Sequence, residues 1–131
     1  MTYQRDLFQL IFDASSLINI ERTGNLGFIK KRKDSIIIPG GVYSEVNLPH
    51  SPLLNFIQRN PEMIAFFEPT EEEEYLRIRS QIGIHKGEAA AIALAVCRQL
   101  PLAIDDKNGK LKAESHGVRT LNWRDFIKGG L

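Results

Sequence analysis

The sequence predicts an α/β protein: a three-layer α/β/α sandwich around a central, mainly parallel sheet. Three observations carry this. Short apolar and β-branched runs alternate with capped or amphipathic helical stretches along the whole chain. The links between them are short, as in successive βα units. One helical stretch, around Ala89–Cys97, is apolar on every face and therefore belongs in the centre of the molecule.

Taken in order, Leu7 to Phe12 (LFQLIF) reads as a buried strand ending at Asp13. Ser15 or Ser16 can cap a short helix through Leu17, Ile18 and Ile20, stopped near Gly24. Leu26 to Lys33 is a further short helix with a basic end. Ser35 to Ile38 is a β-branched strand closed by Pro39-Gly40, and Val42 to Val46 opens a helix carrying Glu45. A helical turn or two at Leu53–Arg59 and a strand at Met63–Phe67 follow. The next helix spans about Thr70 to Ile82, with Thr70 and Glu73 in capping-box spacing. The buried helix runs from Gly87 to Leu100, and Leu102–Ile104 is a strand delivering Asp105 and Asp106. Lys107 to His116 is a helix closed by Gly117, Val118–Leu121 a last strand, and Trp123–Lys128 a final helix.

The 131 residues suit one domain, residues 1–131, with enough length to bury a core. A composition 43% hydrophobic and 25% charged is ordinary for a globular protein. No apolar run approaches the roughly 20 residues of a membrane span, and MTYQRDLFQLIF does not read as a signal peptide. A single cysteine, Cys97, fits a reducing, cytoplasmic setting and a packing role in the apolar helix. Seventeen basic and sixteen acidic residues leave a net charge of +1, which names no partner by itself. Locally, Lys30 to Lys33 form a basic run and Glu71 to Glu74 an acidic one, the latter expected as an exposed helix face.

Function is written in the acids. Asp13, Asp105 and Asp106 directly follow strand runs, which places them beyond the carboxyl ends of a parallel sheet, where ligands collect. Glu45 comes shortly after the second strand, and Glu88 lies in the first turn of the buried helix. Each has a plain structural use, as a helix cap or a turn residue. Their joint placement points further. Carboxylates gathered from several elements repel unless a cation neutralises them, and hard divalent ions take such oxygen cages. Mg2+ or Mn2+ held this way suits hydrolysis of a phosphodiester. Lys86, Lys107 and Lys110 stand close to these acids in sequence and can meet a phosphate. His50, His85 and His116 have no metal-ligand spacing.

The series FDASSLI, IIIPGGVYSEV, GEAAAIALA and AIDDKNGKLKAESHGV resembles the PIN-domain ribonucleases, especially the compact bacterial and archaeal members related to VapC toxins. The resemblance covers nearly the whole chain, in the family's order and spacing. It implies Asp13 as the first metal ligand and Ser15 as its hydrogen-bonding support. It further implies Glu45 as the acid after the second strand, Glu88 as the acid opening the central helix, and Asp106 as the final acid, with Asp105 an adjacent candidate ligand. The implied activity is Mg2+- or Mn2+-dependent cleavage of RNA by an activated water. The implied partners are an antitoxin protein and a second copy in a homodimer. Two positions depart from related members: Lys110 stands where an arginine is frequent, and the tail NWRDFIKGGL matches no pattern of the family. Two other classes compete. An aspartate-dependent phosphotransferase would want a second Asp at position 15, where Ser15 stands. A non-catalytic RNA- or protein-binding scaffold has no need to keep four acids together.

Overall fold

The computed structural model describes residues 9–46 and 51–127. Its five strands are β1 (Leu10–Phe12), β2 (Ile36–Pro39), β3 (Ile64–Ala65), β4 (Leu102–Ala103) and β5 (Thr120–Leu121). All pair in parallel, in the order β3-β2-β1-β4-β5. The helices are α1 (Ala14–Arg22), α2 (Leu26–Lys31), α3 (Gly40–Glu45), α4 (Pro52–Arg59), α5 (Pro69–Arg79), α6 (Lys86–Arg98), α7 (Lys107–Ser115) and α8 (Trp123–Ile127). The α/β/α architecture expected from the sequence is the one observed. Leu7 and Phe8 of the expected first strand, His50, Lys128 and Leu131 lie outside the described residues. Among the described residues no helix is long and apolar enough to cross a membrane.

The core forms where the apolar runs meet. Leu10, Ile11, Phe12 and Ile38 are fully buried, as befits strands covered on both faces. α6 packs against α5, α3 and strands β1, β2 and β4. Its run from Ala89 to Ala95 is buried throughout. Small residues let it come close: a Cβ on Gly41 of α3 would stand 3.1 Å from the Ala90 Cβ. α3 begins at Gly40, two residues before the expected start. Trp123 and Phe126 belong to this core, Phe126 meeting Phe12 edge to face with ring centroids 5.3 Å apart.

Three local expectations change. α5 is capped at Glu68, not Thr70, because Pro69 is pre-set for the first helical position and Glu71 reaches back to accept from the Glu68 N–H at 2.8 Å. Cys97 is exposed on α6, so it does not pack in the core. Glu71 is not part of an exposed face. Its side chain is 7% exposed and accepts from Arg98 Nε at 2.8 Å and NH2 at 3.2 Å, clamping α5 onto α6.

The guanidinium of Arg98 holds the Glu71 carboxyl below its ordinary range, outweighing its desolvation. A lowered folded-state value means that the pair's stabilisation is present above the unfolded value and lost as pH falls through the folded one. Arg98→Met is expected to cost about 1–3 kcal/mol by stranding a buried carboxylate. Urea unfolding read from neutral pH into acid should show the variant losing less on acidification than the wild type. A parallel acid limb in both proteins would refute this role.

Candidate active site

The order of strands fixes where a ligand fits. β2 and β3 lie to one side of β1, and β4 and β5 to the other, so the connections diverge between β1 and β4. In parallel sheets the crevice outside that point is the ligand site. Asp13 follows β1 and Asp105-Asp106 follow β4, whose registers pair Phe12 with Ala103.

Asp13 is buried, 9% exposed, at the N-cap of α1. One carboxylate oxygen accepts from Ser15 Oγ at 2.7 Å and the other from the Ser16 N–H at 3.0 Å. Desolvation raises its pKa. The hydrogen bonds from Ser15 and Ser16 oppose that shift, and the neighbouring charge of Asp105 adds to it. Ser16 itself anchors α1 to the sheet by donating to the Ala103 carbonyl at 3.1 Å.

Glu88 is 8% exposed in the first turn of α6. Asp106, exposed, caps α7 by accepting from the Gly109 N–H at 2.7 Å. The two acids meet at Gly109: a Cβ there would stand 2.8 Å from Glu88 Oε2 and 3.3 Å from Asp106 Oδ2. Glu45 leans against the start of the same helix, since a Cβ on Gly87 would fall 2.0 Å from its Oε1. Its carboxylate remains about one-third exposed, 4.0 Å from His85 Nδ1.

Asp105 and Asp106 diverge. Neighbours on extended backbone point to opposite sides, and Asp105 turns towards α1 and α8. It accepts from Asn19 Nδ2 at 2.5 Å, from Asn122 Nδ2 and Trp123 Nε1 at 3.3 Å each, and lies 3.5 Å from Arg124 NH1. Its lone pairs are largely committed to the protein. Lys86, Lys107 and Lys110 are all exposed.

The donors gathered here are hard carboxylate oxygens, the set that suits Mg2+ or Mn2+. A buried Asp13 repelled by Asp105, and two acids facing one point, are arrangements that a divalent cation relieves. Among the described residues, however, no three His, Cys, Asp or Glu side chains converge into a group that holds a metal as they stand. Asp105 is engaged by its amide and indole donors, and Glu88 is drawn by a lysine. As they stand, the acids form neighbouring pairs, Asp13 beside Asp105 and Glu88 beside Asp106.

That lysine, Lys112, escapes the sequence reading. Its Nζ lies 3.4 Å from Glu88 Oε1 and donates to the Gly83 carbonyl, tying the turn before α6 to the site. The available signal was its position three residues after Gly109, on the same face of α7. Asn19 and Asn122, which hold Asp105, were missed as well.

Solved structures share this fold. The chain is similar to PAE2754 from Pyrobaculum aerophilum, a crystal structure, with TM-score 0.67 and 13% identity over 93% of this chain and 94% of that one. It is also similar to the structure of FitAB bound to an IR36 DNA fragment, with TM-score 0.54 and 15% identity over 87% of this chain and 94% of that one. Among curated proteins none matches. A family model described as a PIN domain matches residues 9–121, a span that takes in Asp13, Glu45, Glu88 and the Asp105-Asp106 pair together, and the chain belongs to the PIN-domain family.

Proposed function

We propose that this protein is a Mg2+- or Mn2+-dependent endoribonuclease that hydrolyses RNA phosphodiester bonds. The observation that carries the reading is the meeting of Glu88 and Asp106 at Gly109, on the sheet edge where buried Asp13 stands. Membership of the PIN family, whose domains are generally nucleases, supports it. FitAB, a similar fold, is bound to DNA, and the family resemblance suggests an antitoxin protein and a second copy of the chain as partners.

Asp13, Glu88 and Asp106 would hold the cation, with Asp105 orienting Asn19 and Asn122 beside them. When bound, the cation lowers the pKa of a water and offsets charge building on the phosphate. Ser15 and the Ser16 amide fix the direction of the Asp13 oxygens, so little reorganisation is left for the reaction. Glu45, more exposed and close to Gly87, would take the proton of the attacking water as its oxygen bonds to phosphorus, while the departing bridging oxygen takes a proton from solvent. Lys86, Lys107 and Lys110 steer the phosphates.

The test is cleavage of a generic single-stranded RNA with Mn2+ or Mg2+. Activity should vanish with EDTA and in Glu88→Gln and Asp106→Asn, each by roughly 10^3-fold if several kcal/mol of charge stabilisation are lost. A well-folded protein that binds RNA yet never cuts it would instead be a binding scaffold. Cleavage surviving in both variants would come from another nuclease, and the reading would fall.

A further inference from the structure

Phe66 directly follows β3 and is 75% exposed. Its neighbour Phe67 turns the other way and packs against Tyr75, with centroids 5.2 Å apart. Among the described residues, the other exposed large hydrophobics, Leu76, Ile82 and Leu111, are aliphatic, and Phe66 offers an aromatic face.

Its position is specific. Pro39 of β2 pairs with Ala65 of β3, so Gly40 and Phe66 leave the sheet side by side at its carboxyl edge. The ring lies over Gly40, where a Cβ would be 3.4 Å from the Phe66 ring. The next residue, Gly41, adjoins the opening of α6: a Cβ there would be 3.9 Å from the Lys86 carbonyl oxygen. The Phe66 ring and the backbone of Lys86 therefore border the Gly40–Gly41 step, and the Lys86 side chain is exposed. α3 runs from that step to Glu45, about 8 Å along the helix axis at 1.5 Å per residue.

We propose that Phe66 and Lys86 form a subsite for one nucleotide of a single-stranded RNA, the ring stacking its base and the ammonium meeting its phosphate. The inference rests on the ribonuclease reading above. Every base has a π-face, so such a platform is tolerant of sequence, and a cation beside it follows the backbone. A base on Phe66 puts the continuing strand along α3 towards Glu45 and Glu88. Double-stranded RNA, its bases already stacked, gains nothing from the ring.

The experiment uses the full chain in a Glu88→Gln background, so that the strand survives, and follows anisotropy of a fluorescein-labelled single-stranded RNA. Phe66→Ala and Phe66→Leu should both weaken binding by about 5- to 100-fold, the range for losing one stacked base. Affinity for a duplex of equal length should not change. Phe66→Trp should bind like the parent, with emission quenched on adding RNA; Trp123 is buried and gives a constant background. Lys86→Gln should lower the slope of log K against log salt by about 0.7. If both Ala and Leu variants bind single-stranded RNA within twofold of the parent, the subsite is wrong while the nuclease reading stands. A Phe66→Ala protein that keeps its RNA affinity but elutes as a smaller species assigns the ring to a protein interface and likewise overturns the proposal. If the wild type neither binds nor cuts RNA, the nuclease reading itself fails.

Discussion

Replacing Asp13 with Asn is expected to abolish RNA cleavage and the stabilisation conferred by Mn2+, yet to raise the thermal midpoint of the metal-free protein. The two effects have opposite signs for one reason. Asp13 is buried, and desolvation lifts its pKa above the ordinary carboxylate value, with Asp105 adding repulsion. A raised folded-state pKa means that stability falls as pH climbs from the unfolded value through the folded one, and the full cost is present above it. An amide at position 13 carries no charge to desolvate. It still accepts from the Ser16 N–H, and Asn caps a helix as well as Asp. The charge that burdens the metal-free fold is also what a cation would bind. With Mn2+ at a hundredfold excess over Kd, the wild type should gain about 2.7 kcal/mol, read as a clear rise in the midpoint. Asp13→Asn should gain little, and cleavage should drop by roughly 10^3-fold. Melts with and without Mn2+, beside the cleavage assay, check all three. An equal metal-induced rise in both proteins would remove Asp13 from the site.

Much of this arrangement is legible in the sequence, for reasons that particular residues make plain. The strands are short but β-branched and dense in Ile and Leu, so Ile36–Ile38 and Leu10–Phe12 announce themselves, and the acids that follow them inherit a known edge. The all-apolar run Ala89–Cys97 fixes α6 in the centre, which brings Glu88 with it. What stays hidden depends on partners far along the chain. Glu71 looks like one of four exposed acids until Arg98 arrives from the next helix, 27 residues on. Lys112 looks solvated until α7 packs its face beside Glu88, 24 residues away in sequence. The unequal fates of Asp105 and Asp106 rest on the pleat of an extended link and on the amides of Asn19 and Asn122. Adjacent identical residues carry no sign of which way each will point.

Gly109→Ala separates a site built by close approach from a helix that merely contains a glycine. By helix propensity the change should stabilise, by up to about 1 kcal/mol in an exposed interior. The surroundings of Gly109 reverse that sign. A Cβ there would stand 2.6 Å from Ile104 Cδ1, 2.8 Å from Glu88 Oε2 and 3.3 Å from Asp106 Oδ2. Two of these groups are not free to yield. Glu88 is held through Lys112, which also bonds the Gly83 carbonyl, and Asp106 accepts from the amide of Gly109 itself. Relief therefore shifts α7 or parts the two acids. Overpacking of this kind costs about 1–3 kcal/mol. Parting the acids by an ångström should reduce cleavage about 10^2-fold. Lys110→Ala, one residue on and exposed, serves as the helix control and should leave stability within about 0.5 kcal/mol. A Gly109→Ala protein that is more stable than the wild type and cuts RNA at the same rate would show that Glu88 and Asp106 do not need the space this glycine leaves, and that their meeting there is incidental to the chemistry.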